Sequence, residues 1–586
     1  MAKGFDKMHV KSAVQGHGKF DLSRSHLTTL DFGQIIPVFT QSCTPGDKIS
    51  TETEIFSRMA PLVFPTYGKA ALKTMTAFVP LHQLAEDAEA YVAGKTSWQG
   101  ATPVLRYFTL DDIFNVFNAS GMSVTVSDAT ESTPSKYDFT YKASASSQLF
   151  KRLTRFGRYV YKIMCALGYQ IPQGIDLSSG SAWQTQKNVK VSAYPLLAFF
   201  KIYNDWMSQS QRFNTSVLSR ILLNIRQNKA DTTLYATTGQ LKYNCIITMF
   251  QNLYLQFESD YFTSAWQNPN CALATGEYTS SMSLNGDGSS IVSNYNMNAI
   301  EIDGDLSSRA LDYLRSFDKW VRRHNYSGSR AVQNIYSQFG IKSDDYRSHF
   351  AEVLNVSEQP LQIGDVTSVA QTDGANLGEY AGKGIVDGKS KASVVASDFG
   401  YYMTLAWISV KPVYSHGFSR DVLRTAPLDF FHPEFDGLGA QAISYREVYE
   451  NPKTVSSPNG SAVFGYTENY TDMKYGRDLI TGDMRIYDDF KAWHFERDLD
   501  AIRKAGNMIA QTNSMNSVAT PDDTATLDGA QSEFDRIFSV VEGPEDHFYL
   551  TCWTDCTAIR PMKNLNDVAD LGTGDLTIER NGNSIN

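Results

Sequence analysis

From Asp31 onward the chain is cut into short apolar runs by proline and glycine, and this punctuation limits the fold more than any other feature. FGQIIPVFTQSC leads to PGD, then to KISTETEIFSR, then to KAALKTMTAFVP. Runs of this length, rich in Ile, Val, Thr and Phe, suit strands that bury one face. Length alone would allow roughly two to four domains, but a large β-sandwich with long loop insertions breaks that arithmetic. The expected fold is therefore mainly β, a sandwich or jelly roll. Aromatic residues form 12% of the chain, with 31 Tyr and 33 Phe, and they favour the same reading together with large packed or interfacial surfaces.

Residues 1–30 are a separate zone, read as an extended basic arm ahead of a body spanning 31–586. Lys3, Lys7, Lys11, Lys19 and Arg24 face only Asp6 and Asp21, and His9, His17 and His26 lie among them. Gly4, Gly16 and Gly18 break any periodicity. The whole chain carries a formal charge of −10, so attraction to nucleic acid over a broadly basic surface is excluded and any contact must be local. The five cations of the arm are its first candidates.

Inside the body, SSQLFKRLTRFGRYVYKIMCALGY places Leu149, Leu153, Phe156, Val160, Met164 and Leu167 at three- and four-residue steps and predicts a helix. Lys151, Arg155, Arg158 and Lys162 then share the opposite face. That stripe reads as a solvated face, a phosphate-backbone contact or a contact to an acidic neighbouring subunit. LSSRALDYLRSFDKWVRRHN predicts a second helix. LKYNCIITM alternates as a strand would, within a loop-rich excursion over 207–300 that is expected to project from the body. A smaller insertion is expected at about 120–147.

The search for chemistry finds no HExxH, no GxSxG and no strand-linked GxGxxG. AGKGIVDGKS lacks the glycine spacing of a phosphate loop and reads as a flexible glycine loop. His432 and Glu434 in HPEF, and His494 and Glu496 in WHFERD, read as packed turns rather than metal pairs. The six cysteines, including Cys552 and Cys556 on one face of FYLTCWTDC, form no metal spacing and read as reduced, packed thiols. The start MAKGFDKMHVK has no signal-peptide stretch, and no run approaches the ~18 apolar residues of a membrane span. The expectation is a structural protein made in a reducing cytosol, with no catalytic residues, metal or cofactor.

Several stretches together resemble the major capsid protein of microviruses, especially the gokushovirus-like branch. They are FDLSRSHLTTLDFGQIIPVFTQSCTPGDKISTETEIFSRMAPLVFPTYGKAALKTMTAFVPLHQL, PLLAFFKIYNDW, LGEYAGKG, ISVKP, DFFHPEFDGLGAQAI, FGYTENYTDMKYGRDLITGDMR, DDFKAWHF and DHFYLTCWTDCTAIRPM. They follow in the family's order across nearly the whole chain; Cys43, Cys556 and residues 207–300 depart from its pattern. The resemblance implies an eight-stranded jelly roll with long insertions, assembled with copies of itself into a small icosahedral (T=1) shell around circular single-stranded DNA. It implies that 207–300 is the threefold surface protrusion. It also implies minor virion partners (scaffold, DNA pilot and DNA-binding proteins) and a host surface receptor. Pro45-Gly46-Asp47 would be a turn, Arg560-Pro561 the end of the last strand, and Phe430, Phe431, Phe435, Tyr466 and Trp493 core or subunit contacts. The alternatives are a carbohydrate-binding β-sandwich surface protein, which would need an export signal, and a hydrolase, which would need an acid/base or nucleophile set.

Overall fold

The computed structural model describes residues 17–562 apart from 95–101, 125–137, 209–216, 230–234, 266–280, 284–289, 293–311, most of 313–348, 368–379, 449–462, 498–532, 540–545 and a few shorter breaks. Ten strands form two main sheets: β1 (Gly18–Asp21), β2 (Arg24–Leu30), β3 (Ile35–Cys43), β4 (Lys48–Met59), β5 (Lys69–Pro80), β6 (Glu352–Pro360), β7 (Gln362–Thr367), β8 (Tyr380–Val395), β9 (Gly400–Lys411) and β10 (Phe548–Arg560). The larger sheet runs β10–β4–β8–β7, with β1 and β2 both on the free edge of β10. The smaller runs β6–β5–β9–β3. All these pairings are antiparallel. The chain crosses between the sheets at β2–β3, β3–β4, β4–β5, β6–β7, β8–β9 and β9–β10, which is the connectivity of a jelly roll.

Strand chemistry explains the layers. In β4, Ile49, Thr51, Thr53, Ile55, Ser57 and Met59 point inward while their neighbours face solvent. Two of its inward hydroxyls find partners: Thr53 bonds its neighbour Thr554 on β10 at 3.2 Å, and Thr51 reaches across the core to the Tyr402 hydroxyl of β9. In β10, Phe548, Leu550, Cys552, Thr554, Cys556 and Ala558 point inward, so Cys552 and Cys556 do share one face. Phe32 sits at the centre of this core, edge-on to Phe495 at 5.7 Å and to Phe548 at 4.9 Å. Truncating it to Ala would cost ~3–5 kcal/mol. The PGD turn forms as expected: Gly46 takes φ +90°, and Asp47 accepts from the Thr44 amide and hydroxyl, both at 2.8 Å.

A helical layer covers the outer face of the smaller sheet. It comprises α1 (Leu110–Ser120), α2 (Arg155–Ala166), α3 (Tyr194–Ile202), α4 (Val217–Arg226) and α5 (Tyr243–Gln251), all from the long connection between β5 and β6. Phe156, Ile163, Phe199 and Phe250 pack against Met75, Val79, Met403 and Leu405 of the sheet. Strand β9 is thus buried on both faces, with every residue of TLAWISV buried. The outer face of the larger sheet carries no such layer among the described residues.

Four expectations change here. Residues Ser147–Leu153 form a strand, paired with Asp138–Ser144 and Gly121–Val124, and the helix begins only at Arg155; hairpin pairing overrides the helical spacing there. LKYNCIITM is mostly helix α5, because Cys245, Ile246, Met249 and Phe250 form one buried helical face while Tyr243 and Ile247 are half-buried. AGKGIVDGKS is not a loop but part of β8, where a Cβ at Gly388 would meet the Gln359 side chain. Finally, within 207–300, α4, α5 and Leu253, Leu255 and Phe257 pack in the core and do not project. Beyond residue 265 the described part of that span is a hairpin, Ser281–Ser283 with Ser290–Val292. Of the helix expected over LSSRALDYLRSFDKWVRRHN, Asp312, Arg315, Ser316, Lys319 and Arg323 are described and are helical; the rest of it and most of the 120–147 insertion lie outside the described residues.

Candidate nucleic-acid interface

Lys3, Lys7 and Lys11 lie outside the described residues. Lys19 is exposed on β1, opposite Ile559 of β10. Arg24 opens β2 but turns inward: its guanidinium donates to the Thr40 carbonyl and lies 4.3 Å from the Phe39 ring centroid. Burial lowers its pKa from the usual guanidinium value. Arg24 thus pins the arm's root to β3 while remaining exposed.

The basic stripe does not form one outward face. Lys151 stands on the strand preceding α2, opposite Ser123 and Phe139. Arg155 is buried and pairs with Asp535 at 3.3 Å. Arg158 is half-buried on the same helix. Lys162 donates to Gln34 Oε1 at 2.6 Å and to Asp546 Oδ2 at 2.8 Å. Burial would raise the Asp546 pKa, but the Lys162 ammonium and hydrogen bonds from Lys162 and Thr29 outweigh it and hold it at about 2. The cations at 155 and 162 are answered by carboxylates of the chain itself.

Behind them, Asp31, Asp535 and His547 bring one oxygen or ring nitrogen each to within 4.8 Å of the others, all three buried. Asp31 Oδ1 accepts from the His547 amide at 2.8 Å and lies 2.7 Å from its Nδ1. Such donors suit a divalent cation, yet Arg155 and Lys162 already bring two positive charges to the carboxylates of this region. The arrangement ties β2, α2 and the approach to β10 together. The histidines weighed for metals are engaged by backbone: His432 Nε2 lies 3.0 Å from the Pro427 carbonyl, and His494 Nε2 lies 3.1 Å from that of Met484. Of the aromatic set, Phe430, Phe431 and Phe435 are exposed, while Trp493 stacks on Phe64 at 5.2 Å.

What residue-by-residue reading missed is the outer face of the larger sheet. Tyr549 and Trp553 on β10 and Phe56 on β4 stand there exposed. The alternation that put Cys552 and Cys556 inside implies Tyr549 and Trp553 outside, so the signal was present.

A family profile described as "Capsid protein (F protein)" matches residues 8–105 and 305–567. The chain belongs to this capsid protein family. The family match spares 106–304, the stretch that supplies the helical layer α1–α5 and the expected protrusion. Capsid protein VP1 of Chlamydia phage 1 is similar over nearly the full length, 22% identical across 88% of this chain and 92% of that protein. Capsid protein VP1 of Bdellovibrio phage phiMH2K is 28% identical over 28% of this chain and 32% of its own. That of Spiroplasma virus 4 is 22% identical over 29% and 31%. The microvirus resemblance and the jelly-roll expectation agree with these findings. No helix among the described residues is long and apolar enough to cross a membrane.

Proposed function

We propose that the chain is the major capsid protein of a small microvirus, a virion component whose copies close into an icosahedral T=1 shell around circular single-stranded DNA. One observation carries this: a jelly roll whose strands lie almost entirely within the two matched family segments, in a chain aligned along 92% of a VP1 capsid protein. The arm contributes local phosphate contacts through Lys3, Lys7, Lys11 and Lys19, which carry no base information and suit a shell holding any part of its genome. The part of 207–300 beyond residue 265 forms the surface protrusion that meets a host receptor, and minor virion proteins join the shell. Exposed Phe430, Phe431 and Phe435 fit contacts between copies, where aromatic residues are enriched.

Negative-stain imaging and sedimentation of the purified chain test the reading. Uniform small spherical particles that carry nuclease-protected single-stranded DNA are expected. A population of monomers under all assembly conditions would overturn it.

A further inference from the structure

The outer face of the larger sheet can be mapped by register. Successive cross-strand rows read Thr29–Tyr549–Arg58–Ile385, then Leu27–Thr551–Phe56–Asp387, then Ser25–Trp553–Glu54–Lys389. Tyr549, Phe56 and Trp553 therefore step diagonally across the β10–β4 pair. Strand spacing of ~4.8 Å and a same-face repeat of ~6.8 Å put adjacent members ~8 Å apart at Cα. Trp553 is 46% exposed, Tyr549 45% and Phe56 37%. Large aromatics standing at this exposure on a sheet, in neighbouring rows, have ring faces to offer and no covering layer among the described residues.

The same rows expose Leu27 and Ile385 as aliphatic surface beside the rings. Lys389 pairs with Glu54, and Lys391 pairs with Glu52 at 2.9 Å. Asp555 accepts from Trp553 Nε1 at 2.6 Å, which fixes the indole's orientation. The Arg58 guanidinium lies 5.4 Å from the Phe56 ring centroid. Lys19 projects at the far end of the same face, where β1 carries the basic arm onto β10. Stacking rings, a nearby arginine and the exposed Lys19 at the end of the face complement the two parts of a single strand: its bases and its phosphates.

We infer that Tyr549, Phe56 and Trp553 form a stacking platform for unpaired bases of single-stranded DNA. Sheets that display aromatics in this way stack two or three successive bases without needing to read sequence. The inference rests on the reading that the chain encloses single-stranded DNA, and adds a site to it that the arm does not require.

The test uses the full-length chain and two labelled probes of about twenty nucleotides, oligo(dT) and an abasic strand of the same backbone. Trp553→Leu, Tyr549→Leu and Phe56→Leu should each weaken oligo(dT) binding on the order of tenfold, from the usual stacking contribution per base. Abasic binding should stay the same, and Trp553→Phe should retain most of the oligo(dT) affinity. A melting midpoint unchanged from the parent chain excludes misfolding as the cause. If the parent binds both probes equally, or the leucine variants keep full oligo(dT) affinity, the platform is refuted while the DNA reading stands. Loss of particle assembly with oligo(dT) affinity intact would make the face an interface between copies and refute it too. If the parent binds neither probe, both readings fall together.

Discussion

Lys162 and Asp546 lie 384 positions apart in the chain and 2.8 Å apart in the fold. The pair joins the end of the β9–β10 connection to α2, and Asp546 also accepts from the Thr29 hydroxyl of β2. Asp546 has its pKa lowered from 3.8 to about 2, so the pair stabilises the fold fully above about pH 4 and loses that contribution as pH falls toward 2. Lys162→Met leaves a mostly buried carboxylate unpaired, and should cost ~2–4 kcal/mol at neutral pH. Urea denaturation of the variant and parent subunits should show that gap at pH 7, and a clearly smaller one near pH 3. A gap independent of pH would assign the loss to packing of the lysine stem.

How much of this was legible beforehand depends on chain distance. The strands β3, β4, β5 and β10 follow from local alternation and Pro/Gly punctuation, and the Asp47 turn from three adjacent residues. The fate of the basic stripe does not: Arg155 and Lys162 are claimed by Asp535 and Asp546, and nothing near either helix residue announces a carboxylate hundreds of positions later. Helix α5 was misread because apolar residues at 241, 243, 245, 247 and 249 also satisfy period two, and only burial on the smaller sheet selects the face built from 245, 246, 249 and 250. In β8, glycines that resemble a loop are accommodated because Gln359 occupies the space above Gly388.

A second prediction concerns the clamp where the β5–β6 connection returns to the sheet. Asp205 receives Lys201 Nζ at 2.6 Å and the Ala351 amide at 2.9 Å, while Trp206 Nε1 donates to the Ala351 carbonyl at 2.8 Å. The turn of π-helix at Tyr203–Met207 brings Asp205 and Trp206 to that strand start. Asp205→Ala takes the carboxylate from the Lys201 ammonium, which keeps the His349 carbonyl, and from the buried Ala351 amide, and should lower stability by ~2–4 kcal/mol. Replacing 266–300 with a short Gly/Ser linker leaves the clamp and the buried Phe262 and Ala265 in place, so particles should still form while adsorption to host cells is lost or altered. Failure to assemble would make that segment an interface element.

The thiols give a third. Burial pushes Cys43 and Cys552 up to about 12 and Cys556 to about 11, and Cys245 is buried; Cys165 is exposed, and although burial raises its thiol too it is the one a reagent can reach. With Cys271, which lies outside the described residues, changed to Ser, the native chain at pH 8 should show one fast-reacting thiol toward an aromatic disulfide reagent. Five should react after unfolding. Fast modification of Cys43 or Cys556 in the native state would mean that the core end between β3 and β10 opens readily.

The last prediction concerns the arm. Residues 1–26 carry five Lys and Arg against two Asp, in a chain of net −10. Arg24 is committed to Thr40 and Phe39, so the test changes Lys3, Lys7, Lys11 and Lys19 to Gln and leaves Arg24 alone. Each lost phosphate contact should flatten the log–log salt slope of single-strand binding by roughly 0.7. Four lost contacts would therefore flatten it by nearly three, which is well within measurement. Particles of normal size that release their DNA at lower salt are the expected result, since the arm then acts on the genome and not on the shell. If instead the variant yields no particles and no empty shells, the lysines clasp a neighbouring subunit. A normal shell with an unchanged slope would leave phosphate binding to other cations.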